Sequence, residues 1–124
     1  MSDFGMYWPV DNFIGQLTER ENTVLEAHRR ILAPFPDIVD FLFWMGVKSG
    51  GKNMVEIGVG HSTTALLLAA NRNGGKLFST DIGTIHNLDV PELANIWTWK
   101  GGIDSIEMGK LWDVTKQGYI DYLL

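Results

Sequence analysis

Two short stretches decide the fold: Met54–Thr63, with the sequence MVEIGVGHST, and Phe78–Asp81, with the sequence FSTD. The first is an apolar run that ends in an acidic residue and a Gly-x-Gly turn. The second is an apolar run that closes on an aspartate, and a helix-like segment lies between the two. This order is typical of a strand, a tight loop, a helix and a parallel strand. Ligands of such units bind at the carboxyl ends of the strands.

The rest of the chain extends this alternation of helical and extended patterns. We predict helices at 17–32, 36–49, 62–71 and 104–116, and strands at 53–57, 76–80, 96–99 and 119–124. The order predicts an α/β fold, a Rossmann-like three-layer sandwich with a mostly parallel sheet. All 124 residues fit one domain, with 1–52 as an N-terminal helical cover and 53–124 as a cofactor-binding βαβ core.

The first two helices each predict a buried face. Thr18 and Glu21 have the spacing of a capping box at the start of the first helix. The periodic apolar positions, with one histidine, are Val24, Leu25, His28, Ile31 and Leu32 in the first helix and Ile38, Val39, Leu42, Phe43 and Gly46 in the second.

The composition of the chain argues against nucleic acids, membranes and thiolate-bound metals as partners. A formal charge of −5 and ten scattered basic residues argue against nucleic-acid binding. The longest apolar runs are far below the ~20 residues that span a bilayer, so we expect no membrane partner. The absence of cysteine excludes disulfides and thiolate metal sites, and it fits a cytoplasmic protein.

The Gly-x-Gly turn predicts a ligand site. Gly58 and Gly60 lack a Cβ atom and therefore permit close approach of a ligand to the backbone. Ser62 or Thr63 then caps the following helix, whose N-terminus favours a carboxylate or phosphate. A dinucleotide fingerprint requires a third glycine where this chain has Thr63, so that fingerprint fails.

Two acidic residues indicate a cationic, ribose-containing ligand. Glu56 lies two positions before Gly58, where a carboxylate can interact with the ammonium or sulfonium of S-adenosylmethionine, directly or through water. A pyrophosphate would be repelled there. Asp81, at the predicted tip of the second strand, can accept hydrogen bonds from both ribose hydroxyls.

The segments Val55–Ser62 and Phe78–Ile82 resemble motif I and the acidic second-strand motif of class I S-adenosylmethionine-dependent methyltransferases. The chain is most similar to small-molecule O-methyltransferases of the class 24 type, and Ile96–Trp99 and Gly102–Ser105 resemble their third strand and the loop after it. The resemblance implies a cofactor site made of Glu56, Gly58, Gly60, Ser62, Asp81, Ile82 and Asp104. It also implies a strand order of 3-2-1-4 within a longer sheet, so we expect the domain to be truncated after its fourth strand.

Several polar residues have a structural alternative to a ligand role. Asp104 is also spaced with Glu107 as a helix cap, and Ile103 interrupts the Gly-Asp pair of the family. We expect His28 to be a core or interface histidine and His61 to be an exposed loop residue. His86 lies in the loop after Asp81, where it can border the pocket. No metal-ligand spacing is present, and no catalytic residue is named.

The resemblance implies methyl transfer from S-adenosylmethionine to an oxygen of a small-molecule acceptor. An alternative from another class is a non-catalytic or truncated adenosyl-binding module that works through association with another chain. The sequence leaves open a homo-oligomer that forms through the exposed sheet edge. A third hypothesis, an NAD-dependent oxidoreductase, is weakened by Thr63 in place of the third glycine.

Overall fold

The computed structural model describes residues 17–31, 37–83, 88–102, 120 and 122–124, and within them it shows a small α/β fold. The helices are α1 (Glu19–Ile31), α2 (Asp37–Ser49) and α3 (His61–Asn73), and a 3₁₀ helix spans Pro91–Ile96. The strands are β1 (Asn53–Ile57), β2 (Lys76–Thr80), β3 (Trp97–Lys100) and β4 (Tyr122–Leu123). The sequence predicts β1 and β2 correctly and places β3 one residue early. The predicted helix at 104–116 lies outside the described residues.

The four strands form one open parallel sheet in the order β3-β2-β1-β4. This is the strand order that the resemblance implies. Ile57 of β1 pairs with Thr80 of β2, and Thr80 pairs with Lys100 of β3. The carboxyl ends of these three strands are therefore level with one another along one edge of the sheet.

The three described helices pack against one another, and α3 also packs against β1 and β2. Helix α3 is buried along most of its length, because Thr63 to Ala70 lie between α2 and the sheet. The helices α2 and α3 approach closely at Gly46, where an added Cβ would lie 2.8 Å from Cβ of Ala69 and 3.7 Å from Cε of Met54. The core that results includes Leu25, Val39, Phe43, Met54, Leu66, Leu67, Leu77 and Val90.

The predicted buried faces of α1 and α2 are partly wrong. Val24, Leu25 and His28 are buried, but Ile31, the last residue of α1, is 68% exposed. Ile38 is 40% exposed, while Asp40 is buried and accepts hydrogen bonds from Arg29 at 2.6 and 2.8 Å. The buried stripe of α2 is thus turned toward Asp40, because α1 supplies a guanidinium on that side. Leu32 lies outside the described residues.

A capping box and an ion pair fix the start of α1. The predicted box is confirmed: the Glu21 amide donates to the Thr18 hydroxyl at 3.1 Å, and the Thr18 amide donates to the Glu21 carboxylate at 2.8 Å. The same carboxylate accepts two hydrogen bonds from Arg72 of α3, at 2.6 and 2.8 Å. Burial raises the pKa of Glu21, but the bonds from Arg72 and Thr18 outweigh it and hold this pKa below its ordinary value.

Candidate functional site

The loop after β1 has open space at both of its glycines. Gly58 has φ of +93°, a backbone conformation that favours glycine, and its amide donates to the Thr80 carbonyl at 2.7 Å. Gly60 has φ of −179°, which is extended backbone that any residue adopts. A Cβ added to either glycine would meet no atom of the described residues within 4 Å. Neither φ nor crowding by the described residues therefore requires glycine at position 60.

Gly60 is the N-cap residue of α3, and Thr63 completes its cap. The Gly60 amide donates to the Thr63 hydroxyl at 3.0 Å, and the Thr63 amide donates to the Gly60 carbonyl at 3.1 Å. The prediction that Thr63 takes part in the cap is confirmed in this reciprocal form. The prediction of Ser62 as the cap is wrong, because its hydroxyl donates to the Glu56 carboxylate instead.

Glu56 is the centre of a buried hydrogen-bond network that joins three strands to α3. Its carboxylate accepts bonds from Ser62, from Thr63 at 2.7 Å and from Ser79 at 2.9 Å. The indole of Trp97 donates to the Ser79 hydroxyl at 2.9 Å. We call these five residues the Glu56 network. Since Glu56 is 1% exposed and bonded to three hydroxyls, its contacts give it the role of positioning the loop. Direct contact between Glu56 and a ligand stays a prediction.

Burial raises the pKa of Glu56 above its ordinary value. The three hydroxyl donors oppose this effect, and the nearby negative charge of Asp81 reinforces it. No cationic partner of Glu56 is found among the described residues. The strand register places Asp81 two residues beyond Ser79, which lies opposite Glu56, so the two acidic residues lie near the same end of the sheet.

The raised pKa of Glu56 predicts a stability that depends on pH. Ionisation of Glu56 is harder in the folded chain, so its contribution is fully present below pH 4.5 and is lost as pH rises through the folded pKa. We therefore expect Glu56→Gln to gain unfolding free energy relative to wild type as pH rises from 4.5. Urea denaturation of both proteins over that range measures the difference.

Glu92→Gln is the matched control for the pH experiment. A hydrogen bond from Arg20 lowers the pKa of the exposed Glu92 carboxylate, so its linkage has the opposite sign. Wild type should gain stability over Glu92→Gln as pH rises through this lowered pKa and the ordinary value of 4.5. A difference between Glu56→Gln and wild type that does not change with pH would contradict the account of Glu56.

Asp81 lies directly after β2, as the sequence predicts. Its amide donates to the Lys100 carbonyl at 3.2 Å, which continues the pairing of β2 with β3. One carboxylate oxygen, Oδ1, accepts the Ile82 amide at 2.8 Å. The Asp81 side chain is half-buried and the Ile82 side chain is exposed. A partly accessible carboxylate and an apolar side chain thus lie together at the strand tip.

The loops that follow β2 and β3 are joined to each other beside Asp81. The Gly102 amide donates to the Gly83 carbonyl at 2.9 Å. This bond holds the two strand exits together at the edge of the sheet where β1 delivers Gly58. The predicted site residue Asp104 and the candidate pocket residue His86 both lie outside the described residues.

A second polar cluster, which the sequence did not predict, adjoins the loop at His61. The rings of His28 and His61 bond through their Nδ1 atoms at 2.6 Å, and Nε2 of His28 lies 2.5 Å from the Asp89 carboxylate. The Thr64 hydroxyl donates to the same carboxylate at 3.4 Å. His28 is 7% exposed, as expected for a core histidine. His61 is half-buried in α3, so its prediction as an exposed loop residue is wrong.

The described residues include no group of three or more metal-binding side chains arranged to hold an ion. None of the helices described is long and apolar enough to cross a bilayer. Comparisons of the chain with protein-family models, curated proteins and solved structures gave no match.

Proposed function

We propose that the chain binds S-adenosylmethionine and serves methyl transfer to an oxygen of a small-molecule acceptor, on a Rossmann-like fold. One observation carries the proposal. The open space at Gly58 and Gly60 lies at the same edge of the sheet as the Asp81 carboxylate. A glycine cradle and a strand-tip carboxylate are the two features with which such sheets hold an adenosyl ligand.

The residues present fit the chemistry of this cofactor. Asp81 would accept hydrogen bonds from the ribose hydroxyls, with Ile82 offering apolar surface beside it. The N-terminus of α3 would favour the carboxylate of the methionine part. The carboxylates of Glu56 and Asp81 give this edge a negative potential that suits a ligand with an ammonium and a sulfonium. Asp104, which the resemblance assigns to the cofactor site, is the proposed contact of the adenine.

The reaction would need little more from the protein than alignment. When bound, the cofactor would supply an electrophilic methyl group for transfer to the acceptor oxygen. The Glu56 network would contribute by fixing the loop between β1 and α3 before the ligand arrives. Such preorganisation lowers the entropy lost when donor and acceptor meet.

The same geometry argues against a nicotinamide dinucleotide. The third glycine of that fingerprint lets a helix pack closely on its strand. Here Thr63 occupies the position, and its side chain is 1% exposed and bonded to Glu56 and Gly60. A buried carboxylate next to the loop would also repel a pyrophosphate.

Gly60→Ser provides a sharp test of the proposed site. Serine is a good N-cap residue and can adopt the φ of Gly60, so we expect the unfolding free energy to change by less than about 1 kcal/mol. Its side chain would enter the open space where the ligand approaches. Calorimetric titration should therefore show at least about a tenfold loss of S-adenosylhomocysteine affinity, or about 1.4 kcal/mol.

Titration of the wild-type chain with NAD is the companion measurement. The proposal predicts saturable binding of S-adenosylhomocysteine and weaker binding of NAD. Equal affinity of wild type and Gly60→Ser for S-adenosylhomocysteine would contradict the proposal that the ligand binds in the open space at Gly60. Tighter binding of NAD would favour the oxidoreductase hypothesis instead.

A second candidate is a non-catalytic adenosyl-binding module that works through association. Ile57, Leu123 and Leu124 lie together at the β1–β4 side of the sheet and are 42% to 59% exposed. Exposed apolar side chains at a sheet edge favour contact with another chain, including a second copy. Sedimentation equilibrium with and without S-adenosylhomocysteine tests this candidate, which predicts a dimer; a monomer with catalytic turnover would contradict it.

A further inference from the structure

The cluster of His28, His61 and Asp89 links α1, the start of α3 and the segment before the 3₁₀ helix. The two imidazole rings meet edge to face, with centroids 4.9 Å apart and planes at 82°. This places Nδ1 of one ring against Nδ1 of the other. The remaining nitrogen of His28 meets a carboxylate, so the three side chains form a line and not a convergent ligand set.

The contacts decide which ring nitrogens carry protons when both histidines are neutral. A carboxylate accepts hydrogen bonds, so Nε2 of His28 is protonated and donates to Asp89. Nδ1 of His28 must then accept the bond from Nδ1–H of His61. Nε2 of His61 is left with a free lone pair, and it has no hydrogen-bond partner among the described residues. Nε2 of His61, at the end of the line farthest from Asp89, can therefore accept a proton.

We propose that Asp89, His28 and His61 form a proton relay that ends at Nε2 of His61, which takes the proton from the methyl acceptor's hydroxyl. The proposal rests on the proposed function. His61 directly follows Gly60 and is the first residue of α3, next to the candidate cofactor loop. His28 and Asp89 act through His61 and are positioning residues.

The proton transfer is completed by the hydrogen that lies between the Nδ1 atoms of His61 and His28. When the acceptor's O–H bond breaks, its proton forms an N–H bond on Nε2 of His61, and the oxygen's electron pair attacks the methyl group. The hydrogen between the two Nδ1 atoms moves from His61 to His28. His61 is then neutral, and the positive charge rests on His28 next to the Asp89 carboxylate. The Asp89 backbone also accepts a bond from Arg20 at 3.4 Å, and its side chain accepts the bond from Thr64.

Acylation by diethyl pyrocarbonate tests whether Nε2 of His61 is unprotonated and reactive, and it needs neither acceptor nor cofactor. This reagent attacks unprotonated imidazole nitrogens, and tryptic peptides separate the three histidines because 21–29, 53–72 and 77–100 carry one each. We expect His61 to react faster than free N-acetylhistidine, and His28 to be protected because both of its nitrogens are bonded. Equal or slower reaction of His61 would overturn the relay.

Asp89→Asn and Glu92→Gln form a matched pair for the same experiment. Both remove one carboxylate from one short segment, but Glu92 pairs with Arg20 outside the relay. Asp89→Asn should slow acylation of His61 at least about tenfold, the direction that loss of the carboxylate has in other Asp–His arrangements. Glu92→Gln should leave the rate unchanged. Equal rates in the two variants would overturn the relay.

Long-range ¹H–¹⁵N NMR of the wild-type histidines gives a second readout that needs no variant. The relay predicts the Nε2–H tautomer for His28 and the Nδ1–H tautomer for His61. A proton on Nε2 of neutral His61 would overturn it. Titration of the same sample with S-adenosylhomocysteine separates the two proposals. No binding by a chain with a reactive His61 would reject the proposed function, and with it the methyl acceptor as the source of the proton, but not the basicity of His61. Binding by a chain with an inert His61 would reject the relay alone.

Discussion

Gly75→Ala is expected to destabilise the fold by about 3 kcal/mol or more. The added Cβ would lie 2.7 Å from the Lys52 carbonyl carbon, and nearer still to its oxygen and Cα. These are backbone atoms that cannot turn aside as a flexible side chain can. The Lys52 carbonyl also accepts the Lys76 amide at 2.7 Å, where β1 and β2 begin to pair. The substitution must therefore push the two strands apart, and urea denaturation measures the loss.

Gly74→Ala is the matched control for this prediction. Gly74 has φ of +71° and ends α3, but a Cβ there would meet no atom within 4 Å. Its replacement should cost only the strain of a left-handed backbone, about 1 to 2 kcal/mol. Equal losses for the two alanine variants would show that close approach to Lys52 is not what requires glycine at position 75.

Phe43→Ala is expected to cost about 4 kcal/mol of unfolding free energy. The ring is 0% exposed and belongs to the core between α2, α3 and the sheet. The Arg72 guanidinium lies 5.2 Å from the ring centroid, so the substitution also removes part of the surroundings of the ion pair with Glu21. The close approach of α2 and α3 at Gly46 limits how far the two helices can move to fill the cavity.

Ile38→Ala is the control for Phe43→Ala, because both residues belong to α2 but only Phe43 is buried. Ile38 is 40% exposed, so its truncation should cost about 1 kcal/mol or less. Chemical denaturation of the two variants side by side should give clearly different midpoints. A loss for Ile38→Ala close to that for Phe43→Ala would mean that both side chains are buried, as the sequence predicted.

Short-range patterns predict the elements of the sheet well. The apolar run at 53–57, the glycine turn after it and the aspartate at the end of the next run place β1, β2 and α3 because each signal is local. The positions of Gly58 and Asp81 at the strand ends follow from the same signals, since parallel strands align their carboxyl ends.

Long-range contacts explain what the sequence could not predict. The period of α2 does not show that Asp40 replaces Ile38 in the interior, because Arg29 of another helix makes that burial favourable. The Glu56 network depends on the strand register, which brings Ser79 opposite Glu56. The relay joins residues that are 33 and 61 positions apart, and no spacing rule connects them.

The most direct test of the adenosyl site is calorimetric titration of wild type and Asp81→Asn with S-adenosylhomocysteine, with Glu92→Gln as a control for the loss of one charge. Hydrogen bonds to a charged group contribute about 1.5 to 3 kcal/mol each, so loss of the carboxylate should weaken binding at least about tenfold. Glu92→Gln should bind like wild type. Equal affinity of wild type and Asp81→Asn, or no binding by a folded wild-type chain, would contradict the proposed site.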